Sequence, residues 1–155
     1  MNLLGMSFKK GRGVGQDPSQ AVAWFERAVD RGHARAQNNL GLMYEEGRGV
    51  STDFREAFRW YRRAASQGNL IAQCNLARLF AWGRGVDPSE EKAASWYAAA
   101  AEQGDPEAQT EMGWRYFKGR GVERDDRVAV IWFRKASEQG YDPAKRQLAS
   151  MGKEK

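Results

Sequence analysis

The tetrapeptide Gly-Arg-Gly-Val is the first feature that could carry chemistry, because glycine-rich loops can cradle phosphate with their backbone N–H groups. The chain contains it four times, each copy 36 residues after the last, at residues 11–14, 47–50, 83–86 and 119–122. No copy has the Gly-Lys-Ser/Thr ending of a nucleotide-binding loop, and no predicted strand precedes one. A phosphate site has no reason to recur at a fixed period, so we interpret these glycines as structural turns between helices.

The residue types that catalysis most often uses are scarce or unsuitably spaced. His33 is the only histidine, which excludes His-pair metal sites and disfavours Ser-His or Cys-His catalysis. Adjacent acidic residues diverge on a helix and do not form a carboxylate dyad; the pairs are Glu45-Glu46, Glu90-Glu91 and Asp125-Asp126. We therefore predict no enzyme activity, no catalytic residue, no cofactor and no metal site.

Composition and charge narrow the class of protein and of partner. With 155 residues, 41% hydrophobic and 29% charged, the chain has the size and composition of one globular domain. The net charge of +5 favours acidic partners through long-range attraction. Nucleic-acid binding is the less favoured reading, because the basic side chains alternate with acidic ones; these are Arg59, Arg62, Arg63, Arg134 and Lys135.

A second set of residues repeats with the same period and predicts a helix that we name helix B. A tryptophan followed by another aromatic residue is central to it, at Trp24-Phe25, Trp60-Tyr61, Trp96-Tyr97 and Trp132-Phe133. Alanines three residues before and four after each tryptophan share its helical face. In the second copy, helix B is predicted from about Asp53 to Gln67, with Asp53 as N-cap and Gly68 as the positive-φ residue after the helix.

Before each glycine tetrapeptide, a similar stripe predicts helix A. In one copy it consists of Ala36, Leu40, Gly41 and Tyr44, spaced by one to four residues. A hairpin of helices A and B cannot bury its apolar faces alone, so copies must stack into a solenoid. We predict an all-α solenoid forming a single domain at residues 1–155, with units at approximately 1–35, 36–71, 72–107 and 108–143 and a capping helix at about 144–152.

The combined pattern resembles the Sel-one-like repeat (SLR) family, a relative of the tetratricopeptide repeat, over essentially residues 1–150. The resemblance implies a right-handed α/α superhelix whose members, often bacterial, act as adaptors, scaffolds or binding modules without a family catalytic activity. It also implies an alternative function, an immunity protein that neutralises a secreted toxin by direct binding. Met1 aligns with Gln37, so either the chain is a fragment of a longer array or its first helix is shortened.

The first six residues lack the basic start and the long apolar stretch of a secretory signal, and no apolar run is long enough to cross a membrane. We expect a cytoplasmic protein if Met1 is the native start, and a periplasmic or secreted one if an N-terminal segment has been removed. We also expect a monomer that binds another protein, acidic or a toxin, without nucleic acid or membrane insertion.

The binding site is predicted from positions that do not follow the repeat. By resemblance to the tetratricopeptide arrangement, the side of helix A opposite its buried stripe lines a concave groove. Trp82 and Trp114 lie on that side, and they are the two of the six tryptophans outside the repeat. The alternative is that these two residues fill gaps between helices. We name the predicted partner-binding set the groove face: Leu42, Glu45, Glu46, Cys74, Arg78, Trp82, Glu111, Trp114, Phe117 and Lys118.

Overall fold

The computed structural model describes residues 6–7, 17–29 and 32–151. Within these residues the fold is all-α, as predicted, and contains no strand. The first glycine tetrapeptide, residues 11–14, and most of the first helix A lie outside the described residues. In chain order the helices are α1 (Pro18–Val29), α2 (Ala34–Glu46), α3 (Phe54–Ser66), α4 (Leu70–Trp82), α5 (Glu90–Glu102), α6 (Pro106–Lys118), α7 (Asp126–Glu138) and α8 (Asp142–Met151).

The helices alternate between the two predicted types. Helix A is α2, α4 and α6, helix B is α1, α3, α5 and α7, and each helix packs against the ones before and after it in the chain. The predicted solenoid of stacked hairpins is therefore confirmed. The predicted boundaries at 36, 72 and 108 fall on the third residue of each helix A, because they were set at the first recurring alanine rather than at the helix start. The terminal helix A, α8, likewise begins at Asp142 rather than 144.

Both ends of helix B are formed as the sequence predicts. The carboxylate of Asp53 accepts hydrogen bonds from the N–H groups of Arg55 and Glu56 at 2.8 and 3.1 Å, which satisfies donors that the helix itself cannot. At the other end Gln67 is the C-cap, and Gly68 follows with a φ of 79°. Helix α3 therefore lies between the residues that the sequence marks.

The second aromatic residue of each tryptophan pair forms the centre of the core. Tyr61 and Phe133 are fully buried, and each lies against a small residue of the preceding helix A. A Cβ atom at Gly41 would come within 2.7 Å of the Tyr61 ring, and one at Gly113 would come equally close to Phe133. These two glycines therefore allow the helices to approach closely, because any larger residue would displace the ring.

The glycine tetrapeptides join neighbouring units through their backbones. Gly83 ends α4 with a φ of 64°, and its N–H and that of Arg84 both donate to the carbonyl of Leu79. Gly85, at a φ of 70°, lies so close to the start of α3 in the preceding unit that a Cβ atom would overlap the Phe54 carbonyl. The tetrapeptides before and after this one make the same approach, through Gly49 and Gly121. Each turn is thus also a joint between units.

Candidate partner-binding site

The helices A of successive units are linked side by side through polar side chains. The Asn75 side-chain amide of α4 donates to the Asn38 carbonyl oxygen of α2 at 3.1 Å, in a buried position. Arg78 forms an ion pair with Glu45, with N–O distances of 3.1 and 3.3 Å. These contacts bring the groove-face residues of α2 and α4 into one continuous surface.

Glu45 is already satisfied by its neighbours. Besides the ion pair with Arg78, it accepts a hydrogen bond of 2.6 Å from the Tyr61 hydroxyl, and its side chain is only 12% exposed. Burial, followed by the hydrogen bond to Glu45, raises the pKa of Tyr61, so the phenol stays protonated and remains a donor. Glu46 is exposed and pairs with Arg48 at 3.3 Å. The acidic residues at this end of the groove face are therefore balanced within the chain.

Trp82 is the large aromatic residue that the groove face leaves open to solvent. It is 57% exposed at the end of α4. The guanidinium carbons of Arg84 and Arg78 lie 4.8 and 5.5 Å from its ring centroid, a distance at which the cation and the ring attract each other. The arrangement forms an aromatic platform with two guanidinium groups beside it.

Trp114 differs from Trp82 because it contacts the core. Its ring packs edge to face on the buried Phe133 at a centroid distance of 5.4 Å, and on Phe117 at 6.0 Å. Lys118 places its ammonium group 5.0 Å from the same ring. Trp114 therefore partly fills a gap between helices, which is the alternative role given above for both tryptophans. Trp82 makes no comparable core contact among the described residues.

Two further groove-face residues also contribute to packing. Leu42 is half-buried and packs against the core cluster around Tyr61. Cys74 is half-buried as well, with its sulfur 3.9 Å from a carboxylate oxygen of Asp105. Burial and the negative charges of Asp105 and Glu107 raise the pKa of the Cys74 thiol to about 12. The thiol is therefore protonated at neutral pH and is a weak nucleophile.

Glu111 is the one groove-face carboxylate in α6. It is half-buried, and burial raises the pKa of its carboxyl group above the usual value, while the Arg115 charge acts in the opposite direction. Ionised Glu111 is thus stabilised less by the folded protein than by water.

This environment predicts that Glu111→Gln raises the free energy of unfolding at pH 7. Because the folded-state pKa is raised, the stability linked to Glu111 is fully present below its unfolded pKa and is lost as the pH rises through its folded pKa. The advantage of the glutamine should therefore shrink as the pH falls through the folded-state pKa, and it should be absent below the unfolded value of about 4.3. Urea denaturation at pH 7 and pH 3.5 measures it, and the exposed Glu102→Gln is the matched control. An equal effect of Glu111→Gln at both pH values would contradict the prediction.

Sequence reasoning missed one charged residue, Arg115, which is only 5% exposed. It occupies the helix A position where α2 and α4 carry the buried residues Met43 and Leu79. One guanidinium nitrogen lies 2.7 Å from a carboxylate oxygen of Glu90, and the group sits 5.0 Å from the Tyr97 ring centroid. The signal was available, because an arginine at an apolar position of the repeat requires a partner of opposite charge.

The remaining sequence candidates lie in structural surroundings. His33 is an exposed residue that precedes α2. Of the helix B cations, Arg63 and Lys135 stack on the tryptophans three residues before them, Trp60 and Trp132. Among the described residues, no group of three histidine, cysteine or acidic side chains is arranged to hold a metal ion. None of the described helices has the length and apolar character that crossing a membrane requires.

Comparisons with known proteins match the repeat over most of the chain. The Sel1 repeat family model matches residues 1–33, 34–69, 70–105 and 106–141. A comparison with curated proteins finds no significant match.

Solved structures share the fold. A protective antigen of uropathogenic Escherichia coli strains, displaying an SLR fold, is 39% identical with a TM-score of 0.94, over 97% of this chain and 32% of the antigen. A Sel1 repeat protein from Oxalobacter formigenes is 38% identical with a TM-score of 0.91, over 96% of this chain and 59% of that protein. Cysteine rich protein B of Helicobacter pylori is 21% identical, with a TM-score of 0.68 over 86% of this chain and 96% of its own. The chain thus spans about a third and three fifths of the first two proteins.

Proposed function

The chain belongs to the Sel1 repeat family, and from that membership we propose that it is a non-catalytic binding module that holds a partner protein against its groove face. Proteins of this family generally mediate protein–protein interactions and act as non-enzymatic scaffolds. A stack of rigid helices offers a partner a preformed surface, which lowers the conformational entropy lost on binding.

The exposure of Trp82 is the observation that carries the proposal. Stacking of the units does not require a tryptophan that is 57% exposed, since the aromatic residues that recur in each unit are buried or half-buried. Tryptophan and arginine are enriched among the residues that contribute most binding energy at protein interfaces. Trp82 lies beside both Arg78 and Arg84, so the two residue types occur together at this point of the groove face.

Nucleic-acid binding by the helix B cations has less support. The cations of helix B that could bind nucleic acid are in part engaged locally, since Arg63 and Lys135 lie over tryptophan rings and Arg59 pairs with Glu56. A phosphate backbone requires several free cations along one stripe. The groove face therefore remains the better candidate.

The test is affinity capture from the source organism's lysate on the immobilised protein, compared with Trp82→Ala. We expect one or more partners to be retained by the unchanged protein and reduced at least tenfold by Trp82→Ala, consistent with the loss of about 2 kcal/mol at an interface hot spot. Single substitution at Trp82 is preferable to a double substitution with Trp114, because Trp114 packs on Phe133. A captured enzyme that loses activity in a one-to-one complex would identify the immunity role.

Ile131→Ala is the matched control, because Ile131 is a large apolar side chain of helix α7 that is 51% exposed away from the groove face. Circular dichroism and the melting temperature should be nearly unchanged in both variants. Equal recovery of partners by Trp82→Ala and the unchanged protein would contradict the proposal.

A further inference from the structure

We infer that the partner segment is acidic and extended, carries an apolar side chain, and binds the half of the groove face that runs from Trp82 in α4 to Lys118 in α6. This inference rests on the proposed function, since it names the chemistry of the partner for the same surface. It follows from the cations on and beside the groove face that have no carboxylate within ion-pair distance among the described residues.

The charges of the N-terminal half are neutralised within the chain. Glu45 forms its ion pair with Arg78 and Glu46 pairs with Arg48, so each acidic residue has a cation within 3.3 Å. A bound segment would gain little Coulomb energy from charges that are already paired.

At the C-terminal half, two cations beside groove-face tryptophans have no carboxylate within ion-pair distance among the described residues. They are Lys118 and Arg84, which follows α4 and is not itself a member of the groove face. Instead, each lies over a groove-face tryptophan: Arg84 is 4.8 Å from the Trp82 ring centroid and Lys118 is 5.0 Å from that of Trp114. Stacking leaves the N–H donors of both cations available to a carboxylate.

We infer an apolar side chain in the partner from the exposed ring of Trp82, which lies on the same surface as these cations. Trp82 and Lys118 are the last residues of α4 and α6 and occupy the same position in successive units. An extended segment that crosses both helix ends would therefore meet the tryptophan and the lysine with different side chains.

The carboxylate of Glu111 limits where acidic residues can bind. It is the only acidic member of the groove face in this half, it is half-buried, and burial raises its pKa. Its charge sits one turn or more before the end of α6, whereas both unpaired cations lie at or beyond the helix ends. We therefore place the acidic side chains of the partner at the helix-end rim and its apolar side chain against Trp82.

A selection from a displayed library of random twelve-residue peptides tests the inference. We expect the recovered peptides to be enriched in Asp and Glu and to contain an aromatic or large aliphatic residue. A fluorescein-labelled synthetic peptide of the enriched sequence should bind at least tenfold more weakly to Lys118→Glu and to Arg84→Glu. Its affinity should also fall between 50 and 300 mM salt.

Arg134→Glu is the charge-matched control, because Arg134 is exposed on α7 and should change the affinity less than twofold. Lys118→Glu keeps the test independent of folding, since the Lys118 side chain is exposed and Arg84 also lies over Phe54. Peptides without acidic bias that lose binding with Trp82→Ala but not with Lys118→Glu would overturn the inference and leave the proposed function intact. Failure to recover any peptide, or peptides that bind Trp82→Ala unchanged, would count against both.

Discussion

Gly85→Ala is expected to lower the free energy of unfolding by about 4 kcal/mol, which combines the cost of a strained backbone with that of an overpacked contact. Gly85 has a φ of 70°, a conformation that an alanine adopts only with strain. The added Cβ would also overlap the carbonyl group of Phe54 at the start of α3. Because the obstacle is backbone, it cannot move aside as a flexible side chain would. Urea denaturation followed by circular dichroism measures the loss.

Gly104→Ala separates the two contributions. Gly104 also has a positive φ, 94°, but a Cβ atom there would meet nothing within 4 Å. Its substitution should cost only the conformational strain, about 1–2 kcal/mol. Similar losses for Gly85→Ala and Gly104→Ala would show that the approach of the loop to the preceding unit does not constrain position 85.

Arg115→Ala is expected to cost about 3 kcal/mol, because it removes a buried side chain from a core position and leaves a cavity beside Tyr97. Arg115→Leu should cost less than about 1 kcal/mol or stabilise the protein, since replacing a buried charge by a well-packed apolar residue is often neutral or favourable and Glu90, 44% exposed, would remain hydrated. Two observations support the leucine: Leu79 fills the same position in α4, and the Arg115 Nε atom has no hydrogen-bond partner.

The pair of variants distinguishes packing from charge. Thermal or urea denaturation of both should place Arg115→Leu well above Arg115→Ala. If Arg115→Leu were as unstable as Arg115→Ala, the ion pair with Glu90 and the hydrogen bonds to the carbonyls of Glu90 and Arg120 would be the main contribution of this residue. Glu90→Gln would then be expected to reproduce most of the loss.

The solenoid could be predicted from the sequence because its determinants recur. Each helix B is bounded by a side-chain cap and a positive-φ glycine, and the structure forms α3 between Asp53 and Gln67 as expected. The starts of helix A are harder to predict, because their caps vary in type. Asn69 and Asp105 cap with their side chains, whereas His33 makes no side-chain cap hydrogen bond.

The candidate site was less predictable, because side-chain contacts between units do not follow from helix periodicity. A helical wheel places Trp82 and Trp114 on the same face, but only the packing of α6 against α7 shows that Trp114 rests on Phe133. The ion pair between Arg78 and Glu45 joins residues 33 positions apart in neighbouring units, which the wheel of one helix cannot show. Whether the groove face binds a partner stays a prediction.

Recurring polar residues were the signal that sequence reasoning overlooked. Gln37, Gln73 and Gln109 are all buried and lie 36 residues apart. Each accepts a short hydrogen bond from the glutamine that ends helix B of the same hairpin; the donors are Gln67, Gln103 and Gln139, at 2.6, 2.7 and 2.8 Å. A buried amide is retained only where its hydrogen bonds are satisfied, so a glutamine that repeats with the alanines indicates a structural contact.

The contacts of Gly49, Gly85 and Gly121 with the preceding unit are made by backbone atoms and not by the side chains that would recognise a partner. Because each of these joints brings main-chain atoms together, it does not depend on exposed groove-face side chains such as Trp82 and Lys118, in contrast to the ion pair of Arg78 with Glu45. Substitutions at positions such as Trp82 or Lys118 can therefore change what is recognised while the joints between units stay the same. Such an array can acquire new binding specificities through single surface substitutions that leave its fold unchanged.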